Sequence, residues 1–143
     1  MLKINGYSDL QQLHVSKRTH VFRAKCGEKN KSVIIKRLSD DYPSVKNIIR
    51  YKHEYEILQK ISSDAVVKVF GFEKSHGSYL LIIEDFEGED LNKVFPGKIG
   101  LGAFLPLAIK LTKALADIHS YNIIHKDINL SNIIYNKNTE QLK

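Results

Sequence analysis

Apolar and polar residues alternate in short runs through the first half of the chain. Leu10, Leu13 and Val15 lead into a polar turn at residues 16–19, and two strand-like stretches, 21–24 and 33–38, flank a second turn at 27–31. This pattern predicts a meander of three short strands. Pro43 and Ser44 then form a helix-start signal. Beyond them Val45, Ile48, Ile49, Tyr55, Leu58 and Ile61 recur at three- and four-residue spacing, which predicts a helix that buries this face. Glu56 and Lys60 form an i,i+4 pair on its outer side. Two more strands are expected at 66–72 and 79–84, joined through Ser75 and Gly77. From Asp90 the pattern turns helical, with a short segment at 90–95 and a long one at 105–119 that carries Leu107, Ile109, Leu111, Leu115 and Ile118. Ile123 and Ile124, a polar loop and a strand-like stretch at 133–135 follow. The expected class is α+β, an antiparallel five-stranded sheet with one helix followed by a helical part.

Composition narrows the function classes. The chain has 143 residues, 43% of them hydrophobic, which is the size and apolar content of one ordinary domain. Its runs are too short for a membrane helix. The first ten residues, with Lys3, Asn5, Ser8 and Asp9, do not resemble a signal peptide. A single cysteine, Cys26, can form neither an intrachain disulfide nor a multi-cysteine zinc site, so a cytoplasmic location and no membrane partner are expected. The net charge of +6 admits an anionic partner, but the charges are scattered and no basic and aromatic interleaving occurs, which argues against nucleic acid.

One polar cluster carries chemistry: His125, Lys126, Asp127, Ile128, Asn129, Leu130, Ser131 and Asn132. It resembles the catalytic loop of protein kinases, H-R-D-x-x-x-x-N, with Lys126 in place of arginine. The resemblance implies that Asp127 orients the attacking hydroxyl and accepts its proton, while Asn132 holds Mg2+ bridging the phosphate oxygens of ATP. Upstream, Val33-Ile34-Ile35-Lys36 resembles the V-A-I-K motif, whose lysine neutralises the α/β-phosphates. Glu54, on the expected helix, stands where kinases place the partner carboxylate of that lysine, and is preferred to Glu56. Residues 82–91 resemble the segment between kinase lobes. By that likeness the backbone of Glu84, Asp85 and Phe86 bonds the adenine edge, Ile83 lines the pocket behind it, Asp90 reaches the ribose, and Val15 and Val21 flank the nucleotide. The implied organisation is a kinase small lobe at 1–84, a hinge at 85–89 and the start of a large lobe at 90–143.

The chain departs from the kinase pattern at several points. The phosphate loop G-x-G-x-x-G-x-V falls on His14, Ser16, Thr19 and Val21, so its three glycines are replaced. Glycine lets backbone N–H groups approach phosphates closely, so weaker ATP binding is expected. Asn129 occupies the place of a lysine that contacts the γ-phosphate, and Lys126 lacks the arginine fork. The segment carrying D-F-G is not reached by Lys143, so the fragment is expected to be inactive alone. Residues 18–23, 51–58, 83–88 and 125–129 most resemble the kinase-like domain that opens large bacterial signalling proteins, which implies further domains in a longer chain. Three readings stand: a serine/threonine-type protein kinase acting on protein substrates in bacterial signal transduction, a pseudokinase-like regulatory module, and a small-molecule phosphotransferase.

Overall fold

The computed structural model describes residues 4–27, 30–39 and 43–143. Residues 1–3 at the start, and Glu28 and Lys29 of the expected 27–31 turn, lie outside the described residues. The chain divides into two compact units, Met1–Gln59 with Val67–Asp85, and Lys60–Val66 with Phe86–Lys143.

The first unit is built on strands β1 (Tyr7–Val15), β2 (Thr19–Cys26), β3 (Lys31–Leu38), β4 (Val69–Ser75) and β5 (Ser78–Glu84), with helix α1 (Val45–Lys60) between β3 and β4. The sheet order is β1-β2-β3-β5-β4, and every pairing is antiparallel. Alternation divides the strand residues between two faces. On one face Phe22, Ala24, Val33, Ile35, Leu80 and Ile82 close a core with Ile4. On the other, Leu38 and Leu81 meet Tyr51 of α1, with Tyr55, Leu58, Phe72 and Tyr79 packed around them. The β4–β5 turn places His76 and Gly77 at φ 47° and 83°, the paired positive values of a type I′ hairpin.

Ser44 caps α1, its Oγ accepting from the Asn47 amide at 3.3 Å, as the start signal implies. The buried stripe keeps Tyr55 and Leu58 of the expected face but departs from it at Val45 and Ile49. Val45 and Ile49 are 72% and 62% exposed, and the buried residue is Tyr51. Tyr51, Tyr55 and Leu58 form the seat, and Ile49, two residues before Tyr51, points about 200° away from it around the helix. Glu56 pairs with Lys52 at 3.9 Å rather than with Lys60.

In the second unit, β6 (Glu89–Asp90), β7 (Ile134–Asn136) and β8 (Gln141–Leu142) form a small antiparallel sheet, beside α2 (Leu91–Val94) and α3 (Leu101–Ser120). Leu91, Val94 and Ile133 are its core, against which Leu107 and Leu111 of α3 pack. The segment after α1 belongs here: Tyr121 Oη donates to the Ser62 carbonyl at 2.8 Å, and Ser63 Oγ donates to the Asp117 carboxylate. Gly88 is a close-packing position, since a Cβ there would fall 2.6 Å from Ile134 Cγ2 and 3.0 Å from the Phe86 ring.

Two stability effects follow from this packing. Leu80→Ala, at a side chain with 0% exposure, should lower the unfolding free energy of the intact protein by about 2–5 kcal/mol in denaturant titration. Gly88→Ala should destabilise by about 1–3 kcal/mol through overpacking, and an unchanged midpoint would contradict the close contact with Ile134.

Candidate active site

Lys36 stands mid-strand on β3, directly opposite Val21 of β2 and Leu81 of β5. Opposed residues share a face, so Lys36 projects from the side of the sheet that seats α1. Glu54 lies three residues beyond Tyr51 and four before Leu58, on the seated stripe. Its Oε1 meets Lys36 Nζ at 2.5 Å, with the two side chains 29% and 39% exposed. The expected pair is therefore formed by Glu54, while Glu56 faces outward. The Tyr51 hydroxyl, on the same helix, is buried and makes no well-formed hydrogen bond. Burial and the neighbouring Glu54 carboxylate push its ionisation well above the ordinary tyrosine range.

The glycine-free loop between β1 and β2 is bonded to itself. Ser16 N donates to the Thr19 carbonyl at 2.9 Å, and Ser16 Oγ accepts from the amides of Arg18 and Thr19 at 3.3 and 3.0 Å. Ser39, just past β3, pins the loop: its N donates to the Arg18 carbonyl at 2.9 Å and its Oγ to the Ser16 carbonyl at 3.2 Å. Three amides of the kind that cradle phosphate in a glycine-rich loop are thus engaged within this turn. A register shift between Gln12 and His14 sets His14 opposite Val21 and Val15 opposite His20. Val21 shares a row with Lys36 through the β2–β3 pairing, whereas the shift leaves Val15 out of phase with both, and it is 50% exposed.

At the end of β5, Ile83 lies opposite Ile34 and Glu84 opposite Val33. Glu84 also holds Lys68, donating its amide to the Lys68 carbonyl at 2.8 Å and accepting the Lys68 amide at Oε2 at 3.1 Å. The Asp85 side chain, 3% exposed, receives Arg23 and Ser32. The Phe86 carbonyl accepts Asn136 Nδ2 at 2.6 Å, and buried Asn136 is satisfied further by accepting the amides of Asn138 and Thr139 at 2.9 and 3.1 Å. Asp90 caps α2, accepting from Lys93 N at 3.2 Å and pairing with Lys93 Nζ at 3.3 Å.

The loop before β7 is stitched around Asp127. Asn132 Nδ2 donates to Asp127 Oδ2 and to the Asp127 carbonyl, both at 2.9 Å, and Asn129 Nδ2 donates to Asp127 Oδ1 at 3.1 Å. Asn129 Oδ1 in turn caps the single 3₁₀ turn Leu130–Asn132, accepting Ser131 N at 3.0 Å. Lys126 adopts φ 64°, a left-handed conformation unusual for lysine, and the Asp127 amide donates to His125 Nδ1 at 3.4 Å. The loop therefore holds a carboxylate and a primary amide in fixed mutual orientation. With its nitrogen spent on Asp127, the Asn132 amide leaves its oxygen as a hard donor suited to a divalent cation. Among the described residues, no group of three or more His, Cys, Asp or Glu could hold a metal alone.

The family model described as protein kinase domain matches residues 7–143. The chain belongs to the protein kinase domain family. Among relatives of this kinase domain, serine/threonine-protein kinase pkn2 of Myxococcus xanthus is 37% identical over 62% of the chain and 11% of the relative. A "Probable serine/threonine-protein kinase" of Clostridium perfringens is 28% identical over 91% of the chain and 19% of the relative. The crystal structure of the Mycobacterium tuberculosis PknI kinase domain shares the fold, with a TM-score of 0.73 at 19% identity, over 93% of this chain and 56% of that one. The chain thus spans a minor part of these curated relatives and about half of the solved domain. No described helix is long and apolar enough to cross a membrane.

Reading the kinase sequence alone missed Arg23, Ser32, Asn129 and Asn136 as supporting residues. Asn129 and Asn136 carry local signals, each an asparagine that opens a short turn by accepting an amide two residues on, whereas Arg23 and Ser32 carry none. Ser16→Ala should free the Arg18 and Thr19 amides. Hydrogen exchange at those two positions in the intact protein should quicken by about tenfold, the equivalent of one lost hydrogen bond, and unchanged protection would contradict the self-bonded loop.

Proposed function

We propose that this chain supplies the ATP-binding and phosphoryl-transfer residues of a serine/threonine-type protein kinase acting on protein hydroxyls in bacterial signal transduction. The observation that carries the reading is the presence, in one kinase-family chain, of the Lys36–Glu54 ion pair and the Asp127–Asn132 amide–carboxylate pair. In this reading Lys36, oriented by Glu54, neutralises the α/β-phosphates. Backbone groups of Glu84, Asp85 and Phe86 bond the adenine edge. Ile83 and Val21 contribute apolar contact, Asp90 reaches the ribose when Lys93 yields it, and Val15 has the weakest claim because of its register.

Asp127 orients the substrate hydroxyl and takes its proton, with Asn129 and Asn132 fixing the carboxylate. Asn132 Oδ1 is the oxygen that would hold magnesium. When bound, that ion offsets negative charge on the phosphate oxygens. The self-bonded loop argues for a weaker backbone grip on phosphate than a glycine-rich loop provides, so more of the grip falls on Lys36. A cytoplasmic site of action and further domains in a longer chain complete the proposal.

Transfer of a labelled γ-phosphate from ATP by the intact protein tests it. Lys36→Ala and Asp127→Ala should each lower turnover by about a hundredfold or more. Asn132→Ala should raise the magnesium concentration needed for half-maximal rate. Wild-type transfer by Asp127→Ala would contradict the phosphotransfer role, and label passing to choline or an aminoglycoside instead of protein would favour the small-molecule reading.

A further inference from the structure

The Asp85 carboxylate is the most enclosed charge described near the proposed nucleotide site. Its Oδ2 accepts Arg23 Nε at 2.7 Å and Ser32 Oγ at 2.6 Å, and its Oδ1 accepts Arg23 Nη2 at 3.3 Å. Arg23 comes from β2 and Ser32 from β3, so two strands hold the residue just past the end of β5. The side chain of Asp85 is 3% exposed and that of Arg23 34%. Burying such a pair stabilises little compared with apolar side chains of the same volume, but a fork meeting a carboxylate fixes orientation tightly. Position, rather than stability, is what this arrangement delivers.

The register shows what is being positioned. Arg23 lies opposite Ile34, which lies opposite Ile83, on the same face as the row of Val21, Lys36 and Leu81. The two rows are two residues apart, about 7 Å along the strand. Lys36 marks the phosphate end of that face, and the carboxylate lock marks the opposite end. Asp85 is the middle residue of the three whose backbone is assigned to the adenine edge, so anchoring its side chain fixes the peptide planes on both sides.

We propose that Arg23, Ser32 and Asp85 form a positioning lock that sets the backbone donor and acceptor reading the purine edge, and that this lock underlies the preference for adenine over guanine. The inference rests on the phosphotransfer reading above. Adenine offers an exocyclic amine donor where guanine offers a carbonyl acceptor. A backbone held in one register discriminates the two, whereas a loosened one accommodates either.

Initial rates of phosphoryl transfer by the intact protein, with ATP and with GTP as donor, test the lock in Arg23→Gln, Asp85→Asn, the double variant and Ser32→Ala. KM for ATP should rise by about tenfold in the first two, with kcat within about twofold, and the ATP-over-GTP preference should fall in parallel. The double variant should be no worse than either single. Ser32→Ala, which keeps the ion pair and decides the matter if the others fail to fold, should raise KM by about two- to threefold. Lys36→Ala is measured alongside. If Lys36→Ala abolishes transfer while the folded lock variants keep wild-type KM and wild-type base preference, the lock is overturned and the kinase reading stands. If Lys36→Ala transfers phosphate as the wild type does, the kinase reading itself fails.

Discussion

The candidate site depends on how one face of the sheet seats one helix. Tyr51, Tyr55 and Leu58 fix the rotation of α1 against Leu38, Leu81 and Phe72, and that rotation delivers Glu54 to Lys36. An ion pair whose members are 29% and 39% exposed contributes on the order of 0–1 kcal/mol, whereas burying a large apolar side chain contributes about 1.5–3 kcal/mol. Packing therefore orients the pair, and the pair does not hold the helix. The register of the sheet adds the second constraint, since Val21, Lys36 and Leu81 form one cross-strand row. A one-residue slip in β3 would turn Lys36 into the opposite core.

Much of this was legible in the sequence because its signals are local and periodic. Lys36 follows a β-branched apolar triplet that favours a buried strand, and the meander, the capped helix and the polar loop around Asp127 each occupy contiguous stretches. What was hidden depends on phase or on distance along the chain. The bulge before His14 shifts Val15 out of the row of Val21, and nothing in the alternation of β1 signals it. The stripe of α1 is legible at Tyr55 and Leu58 but not at its start, because Val45 and Ile49 match the helical period as well as Tyr51 does and only tertiary contact with Leu38 and Leu81 decides between them. The partnership of Asp85 with Arg23 spans 62 positions, and that of Asn136 with Phe86 spans 50, so no sequence window contains either.

The departures from the kinase pattern take defined physical form. Where glycines would leave amides open, Ser16 and Thr19 close the loop upon itself and Ser39 fastens it to the end of β3. Where a lysine would stand, Asn129 supplies an amide that supports Asp127 and caps the following turn, exchanging a charge for a brace. Both changes leave the Asp127 carboxylate held by its amide partners, and under the proposed function both remove contacts to phosphate. The demand on Lys36 rises accordingly.

The most direct check on this account is a double-mutant cycle on ATP affinity. Titration calorimetry with Mg-ATP would compare the intact wild type with Lys36→Met, Glu54→Gln and the double variant. If the helix delivers Glu54 in order to orient Lys36, the two single losses overlap: the double variant binds no more weakly than Lys36→Met, with a coupling of about 1 kcal/mol or more. Strictly additive losses, or no loss from Glu54→Gln, would contradict it.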